Sequence, residues 1–214
     1  MSTTVLLVDD HRIVLEAIQS LLEASGEYRV VGTAADGRAG AELALRLRPD
    51  VTVMDVQMRG LNGIEATRKI CAAEPDMRVV ALSSTVDGVR LTRMLRAGAV
   101  GYVVKDDGVA TLVQAMRAAV RGQFFFSEDA LRALVCEVRR AGSRELTAFD
   151  VLTPLEREIL QLVAEGQPTA DIAPALHLKR ETIARGLQQI RKKISAGSIA
   201  ELTKLAIREG ITDI

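Results

Sequence analysis

From residue 4 to residue 121 the chain alternates between short β-branched runs and longer stretches whose apolar residues recur at helical spacing, and no other feature restricts its fold so tightly. The runs at 4–8, 29–32, 51–54, 79–82 and 101–104 read as five strands. The stretches at 12–23, 38–47, 64–73, 89–97 and 109–121 read as the helices between and after them. Strands that are apolar on both faces need a helical layer on each side, which predicts a doubly wound α/β domain around a five-stranded parallel sheet. The right-handed crossover rule then narrows the topology. Beyond residue 121 the alternation stops. Three of the four phenylalanines follow at 124–126, then a helix from 128 to about 140 with Ser127 as its expected N-cap. Residues 141–150 lack periodicity and read as a flexible linker. Only helical patterns remain after it, at 154–165, 169–176, 180–194 and 199–209, with Gly166 as the expected left-handed residue after the first. The expected division is a first domain over 1–123, a linker carrying a helix over 124–150, and a small all-α domain over 151–214.

Apolar residues make up 48% and charged residues 26% of the 214, a balance that excludes a wholly disordered or low-complexity chain. Lys plus Arg and Asp plus Glu both number 28, so any surface for nucleic acid has to be local. Cys71 and Cys136 have no His or Cys at metal-ligand spacing and fall in helical patterns, so buried free thiols are expected. No apolar run has the roughly 18 residues that cross a bilayer, and no secretory signal opens the chain, so a cytoplasmic protein without a membrane partner is expected.

In an open parallel sheet, ligands bind at the carboxyl ends of the strands. Asp9 and Asp10 end the first predicted strand and Asp55 the third, so three carboxylates converge if those strands are neighbours. Their mutual repulsion calls for a hard divalent cation such as Mg²⁺, which takes oxygen ligands and commonly pairs carboxylates with phosphate. Ser83 and Lys105, at the ends of the fourth and fifth strands, add a hydroxyl and an ammonium suited to phosphoryl oxygens. Helix capping would explain any one of these residues. It does not explain all of them at one sheet edge.

The segments LLVDD (6–10), VMDVQMRGLNGIE (53–65), ALSS (81–84) and GYVVK (101–105) occur in the order of a receiver domain, which residues 4–122 resemble. The resemblance implies a flavodoxin-like fold with Asp55 as phosphoacceptor and Asp9 and Asp10 as the acidic pair. It also implies the Gln57 backbone carbonyl as a third metal ligand, Ser83 as switch hydroxyl, Tyr102 as switch aromatic and Lys105 as the phosphate-contacting cation. Arg59 departs from the pattern, replacing a rigid proline by a charge. Phosphorylation of Asp55 would add about two negative charges and three acceptor oxygens beside Ser83 and Lys105.

Residues 152–194, LTPLEREILQLVAEGQPTADIAPALHLKRETIARGLQQIRKKI, resemble the LuxR-type helix-turn-helix of NarL/FixJ response regulators. In such motifs the second helix enters the major groove and basic groups contact phosphates. Lys179, Arg180, Thr182, Arg185, Arg191, Lys192 and Lys193 lie on or beside that helix, and Ile183, Leu187 and Ile190 carry its apolar face. Ala170 and Ala184 stand where the family often has lysine and Gly186 where it often has histidine, while Pro174 falls inside the preceding helix. The resemblance implies a two-component regulator that takes a phosphoryl group from a histidine kinase and binds double-stranded DNA as a homodimer, with slow self-dephosphorylation, tuned by Gln57 and Thr85, its only turnover. The missing contacts leave a second reading open, a phosphorylation-dependent protein-interaction adaptor with weak or partner-assisted DNA binding. A Mg²⁺-dependent hydrolase is a third, disfavoured because no separate general base is evident.

Overall fold

The computed structural model describes residues 2–141 and 151–212, in two compact units, Met1–Arg139 and Arg140–Ile214. In the first unit the strands are β1 (Thr3–Val8), β2 (Tyr28–Ala34), β3 (Val51–Asp55), β4 (Val79–Ser83), β5 (Gly101–Val104) and β6 (Phe125–Phe126). Between and after them run α1 (Arg12–Ala24), α2 (Gly37–Leu47), α3 (Gly63–Ala73), α4 (Gly88–Ala97), α5 (Gly108–Val120) and α6 (Glu128–Ala141). All pairings are parallel in the order β2-β1-β3-β4-β5-β6, so the first and third strands are neighbours as the carboxylate argument required. The expected doubly wound sheet is present, with six strands in place of five. The sixth is two residues long, pairing Phe125 with Gly101 and Phe126 with Tyr102, too short to leave any periodicity in the sequence.

Alternation along each strand divides the core in two. On one face Val5, Leu7, Val51, Val53, Val80, Leu82 and Val103 pack with α1 and α5 residues such as Leu15, Leu22, Leu112 and Met116. On the other, Leu6, Val8 and Met54 meet Ala41, Ala44, Ala66 and Ile70 of α2 and α3. Tyr102 and Ala81 pack with Leu91 and Met94 of α4 and with Ala130 and Leu134 of α6. The helix expected from Glu128 therefore belongs to the first unit, laid against α4. Its expected cap is altered: the buried Ser127 hydroxyl has no hydrogen-bond partner, and the Ser127 carbonyl accepts the Leu131 amide. Cys71 is half-buried and Cys136 exposed, so only the free-thiol part of that expectation holds, and residues 142–150 of the expected linker lie outside the described residues.

The second unit is helical: α7 (Pro154–Ala164), α8 (Thr169–Ala175), α9 (Arg180–Ile194) and α10 (Ile199–Arg208). Thr153 and Glu156 form a capping box at the start of α7, and Gly166 takes φ 79° after its end. Pro174 is tolerated because α8 is only seven residues long and ends one residue later, near the turn made by His177 at φ 53°. Leu160, Ile172, Ile183, Ile190 and Leu202 form the core. No helix among the described residues is long and apolar enough to cross a membrane.

Candidate functional site

Strand register assembles the crevice at the carboxyl edge of the sheet. Val8 is level with Met54, Asp55 with Leu82, and Ser83 with Val104. The next residue along each strand places Asp9 beside Asp55, and Lys105 just beyond Ser83. The ammonium of Lys105 lies 2.6 Å from Asp9 Oδ2 and 3.3 Å from Asp55 Oδ2. Asp9 and Asp55 are buried, each 2% exposed, so one cation bridges two carboxylates shielded from water. The Gln57 amide donates to Asp55 Oδ1 at 3.5 Å. Burial and the neighbouring Asp9 carboxylate outweigh Lys105 and Gln57, and the Asp55 carboxyl is pushed up to about 7.

Close approach of α3 fixes the third strand's end. The Gly63 amide donates to the Val56 carbonyl at 3.1 Å, and a Cβ at Gly63 would stand 1.9 Å from the Asp55 carbonyl oxygen. Asn62 caps the helix by accepting the Glu65 amide at 2.9 Å, and Arg59 is exposed on the loop before it. Ser83 is buried and donates its hydroxyl to the Thr85 carbonyl at 2.9 Å. Tyr102 is fully buried, its phenol pushed up to about 12 chiefly by that burial.

Asp9, Asp10 and Asp55 thus come together as expected, and His11 joins them. Each of the four offers one ligand atom within 4.8 Å of the others. Asp10 Oδ1 is shielded from solvent and lies 2.8 Å from the ring Nδ1 of His11. Carboxylate oxygens from three aspartates gathered at one sheet edge, two of those side chains buried, are the donor set that a hard divalent cation takes. The sequence carries no signal for His11 beyond its place directly after the two aspartates.

On the second unit, Lys179, Arg180, Arg185, Arg191 and Lys192 are exposed on or beside α9, and Thr182 is half-buried. Lys193 stands apart. Its ammonium is 2.7 Å from Glu156 Oε2 of α7, whose carboxyl, despite partial burial, is held below the usual range by Lys193 and Thr153. Gly186 faces α7 as well, where an added Cβ would lie 2.6 Å from Ile159 Cδ1.

Residues 5–117 match the response regulator receiver domain, and residues 150–206 match the bacterial regulatory proteins of the luxR family. The chain is 34% identical to the transcriptional regulatory protein LiaR of Bacillus subtilis (strain 168), over 95% of this chain and 94% of that one. It is 36% identical to the response regulator GacA of Pseudomonas viridiflava, over 98% and 97%. A solved complex of the two-component response regulator RcsB with DNA superposes with a TM-score of 0.59 at 26% identity, covering 95% of this chain and 97% of that one.

Proposed function

Because this chain belongs to the response regulators that join a receiver domain to a LuxR-type DNA-binding domain, we propose that Asp55 accepts a phosphoryl group from a sensor histidine kinase and thereby controls transcription through DNA binding as a homodimer. The observation that carries the reading is the Lys105 ammonium bridging Asp9 and Asp55 in a buried crevice, with Ser83 at the end of the adjoining strand. A carboxylate oxygen of Asp55 attacks phosphorus, the bond from phosphorus to the kinase imidazole breaks, and the imidazole leaves with a proton. Asp9, Asp10, Asp55 and the Gln57 carbonyl would hold Mg²⁺, which neutralises the carboxylates and the incoming phosphoryl oxygens. Lys105 then exchanges Asp9 for a phosphoryl oxygen, and the Ser83 hydroxyl turns from the Thr85 carbonyl to another. That movement frees the loop before α4, with Tyr102 packed beneath it, and alters the surface through which a second copy pairs.

The domain division proposed is a receiver over 1–123, a connecting segment over 124–150 and a DNA-binding domain over 151–214. Lys179, Arg180, Thr182, Arg185, Arg191 and Lys192 contact DNA, and Lys193 orients α9 by its pair with Glu156. Hydrolysis of the aspartyl phosphate is the only turnover expected, and it is slow. The test is BeF₃⁻ with Mg²⁺ added to the unaltered chain and to Asp55→Ala, followed by amide NMR. Shifts in residues 55–63, 83–88 and 102–105 that vanish in the variant are expected, whereas an unresponsive unaltered chain excludes Asp55 as phosphoacceptor.

A further inference from the structure

The helix α6 carries more apolar surface than the first unit buries. At about 3.6 residues per turn, Ala130, Leu134 and Glu137 fall on one face. That face is docked: Ala130 and Leu134 pack with Leu91, Met94 and Tyr102, and Glu137 is buried where a Cβ added at Gly88 would lie 2.8 Å from the Glu137 Cβ. One residue further along, Leu131, Val135 and Val138 repeat the same spacing as a second stripe, and it faces outward at 49%, 43% and 61% exposure. A surface helix that packs on one side carries one apolar stripe, with polar residues opposite. Two adjacent stripes, one of them open, call for a second neighbour. The four-then-three spacing, with leucine first and valine next, is that of a helix-pairing seam.

We propose that a second copy of the chain docks on this stripe, α6 pairing with α6 of the other copy in antiparallel orientation about a twofold axis near Val135. The inference rests on the homodimer reading and names its surface. Charge selects both the occupant and the direction. Glu128, Arg132 and Arg139 line the flank of the stripe that points away from the docked face, acidic at the start of the helix and basic toward its end. An antiparallel twofold pair brings like flanks together with their ends reversed. Leu131 then meets Val138 of the other copy, Glu128 comes within reach of its Arg139, and the symmetry makes each contact twice. A parallel pair would turn the charged flank toward the other copy's docked side and gain neither ion pair. Arg132, near the axis, is held at 2.5 Å by Glu128 of its own helix, which lessens the repulsion of its counterpart. Three side chains from each copy cover less than the roughly 1,200 Å² of total area in a stable interface, so α6 forms the centre of a weak pair that one substitution can break. The helix also rests on β5: the Ser127 amide, directly before α6, donates to the Tyr102 carbonyl at 3.1 Å, so a movement of Tyr102 reaches the pairing surface.

The tests use full-length protein with BeF₃⁻ and Mg²⁺. By sedimentation, Val135→Glu is expected to weaken self-association on the order of tenfold or more, because like charges set opposite one another across an interface are strongly unfavourable. Val135 lies outside the core, and an unchanged circular dichroism spectrum certifies that the variant is folded. Glu128→Arg and Arg139→Glu are each expected to weaken the pair, and both together in one chain to restore it, which a stability defect would not do. With Cys136→Ser as background, oxidation of a mixture is expected to link Leu131→Cys chains to Val138→Cys chains. Leu131→Cys chains are not expected to link to one another, since their cysteines stand about 10 Å apart along an antiparallel pair, beyond the reach of a disulfide. Self-association unchanged in Val135→Glu overturns the proposal, and so does a double charge exchange no better than the single ones. Leu131→Cys chains that link to one another would mean a parallel pair and overturn it too. A mixture that dimerises without linking assigns the stripe to the second unit of the same chain or to another protein, and overturns it as well. In each of these outcomes the homodimer reading stands. A chain that is monomeric at every concentration defeats that reading together with this one.

Discussion

At Asp55 the folded chain opposes ionisation: burial comes first, then the Asp9 carboxylate, and Lys105 offsets only part of the two, which leaves the carboxyl at about 7 against an ordinary value of 3.8. A carboxyl raised on folding binds more protons in the folded than in the unfolded chain between those two values. Stability from this group is thus fully present below about pH 4, falls as pH rises through the window, and is lost above about pH 7. Asp55→Asn removes the penalty. The variant is expected to be more stable than the unaltered chain at pH 8, on the order of a few kcal/mol, and to lose the decline between pH 5 and pH 8. Urea unfolding at the two pH values checks this, and parallel curves for both proteins would contradict it. Of the crevice residues, Asp9, Asp10, Asp55, Ser83 and Lys105 were legible in the sequence because each ends or follows a strand. His11 was not, because it belongs to no strand and its ring meets the carboxylates through the local turn in which its amide donates to Asp9 Oδ1.

Among the elements, α3 bears most directly on the site. Its first residue, Gly63, lies against the Asp55 carbonyl, so a methyl group there must push the helix off the strand. Gly63→Ala is expected to destabilise the first unit by about 1–3 kcal/mol, the usual cost of overpacking, and to weaken BeF₃⁻ binding as Asp55 shifts. Gly60 is the control: nothing lies within 4 Å of its added Cβ, and only its φ of 80° resists a side chain. Gly60→Ala is expected to cost about 1–2 kcal/mol and to spare BeF₃⁻ binding. Thermal unfolding and a BeF₃⁻ titration of the two variants separate packing from backbone strain. The long elements were readable from periodicity because each repeats its pattern over several turns or a buried strand. The two-residue β6 was not, since it exists only through its pairing with Gly101 and Tyr102.

For the whole molecule, 28 basic residues balance 28 acidic ones, so the proposed attraction to DNA has to be local, and the exposed basic groups on and beside α9 are its proposed source. DNA affinity is expected to fall steeply with salt despite the zero net charge, and Arg180→Ala or Lys192→Ala should each reduce the slope of log K against log salt by about one. Lys193→Gln is expected to leave that slope unchanged while lowering the unfolding temperature of the second unit, because its ammonium serves Glu156. Anisotropy titrations of a labelled duplex at several salt concentrations, with melting curves, distinguish the two behaviours. A salt-independent affinity would remove the phosphate-contact role of α9. By itself the sequence determined the doubly wound sheet, the helical second unit and the strand ends at which the carboxylates, hydroxyl and ammonium stand, since strand and helix periods are local and a residue's place along an element follows from them. Only the tertiary structure decided that His11 joins the acidic cluster, that Lys193 pairs with Glu156, that Gly63 abuts Asp55 and that α6 lies on α4. These are contacts between elements, and side-chain direction and packing distance, which no local period encodes, settle them.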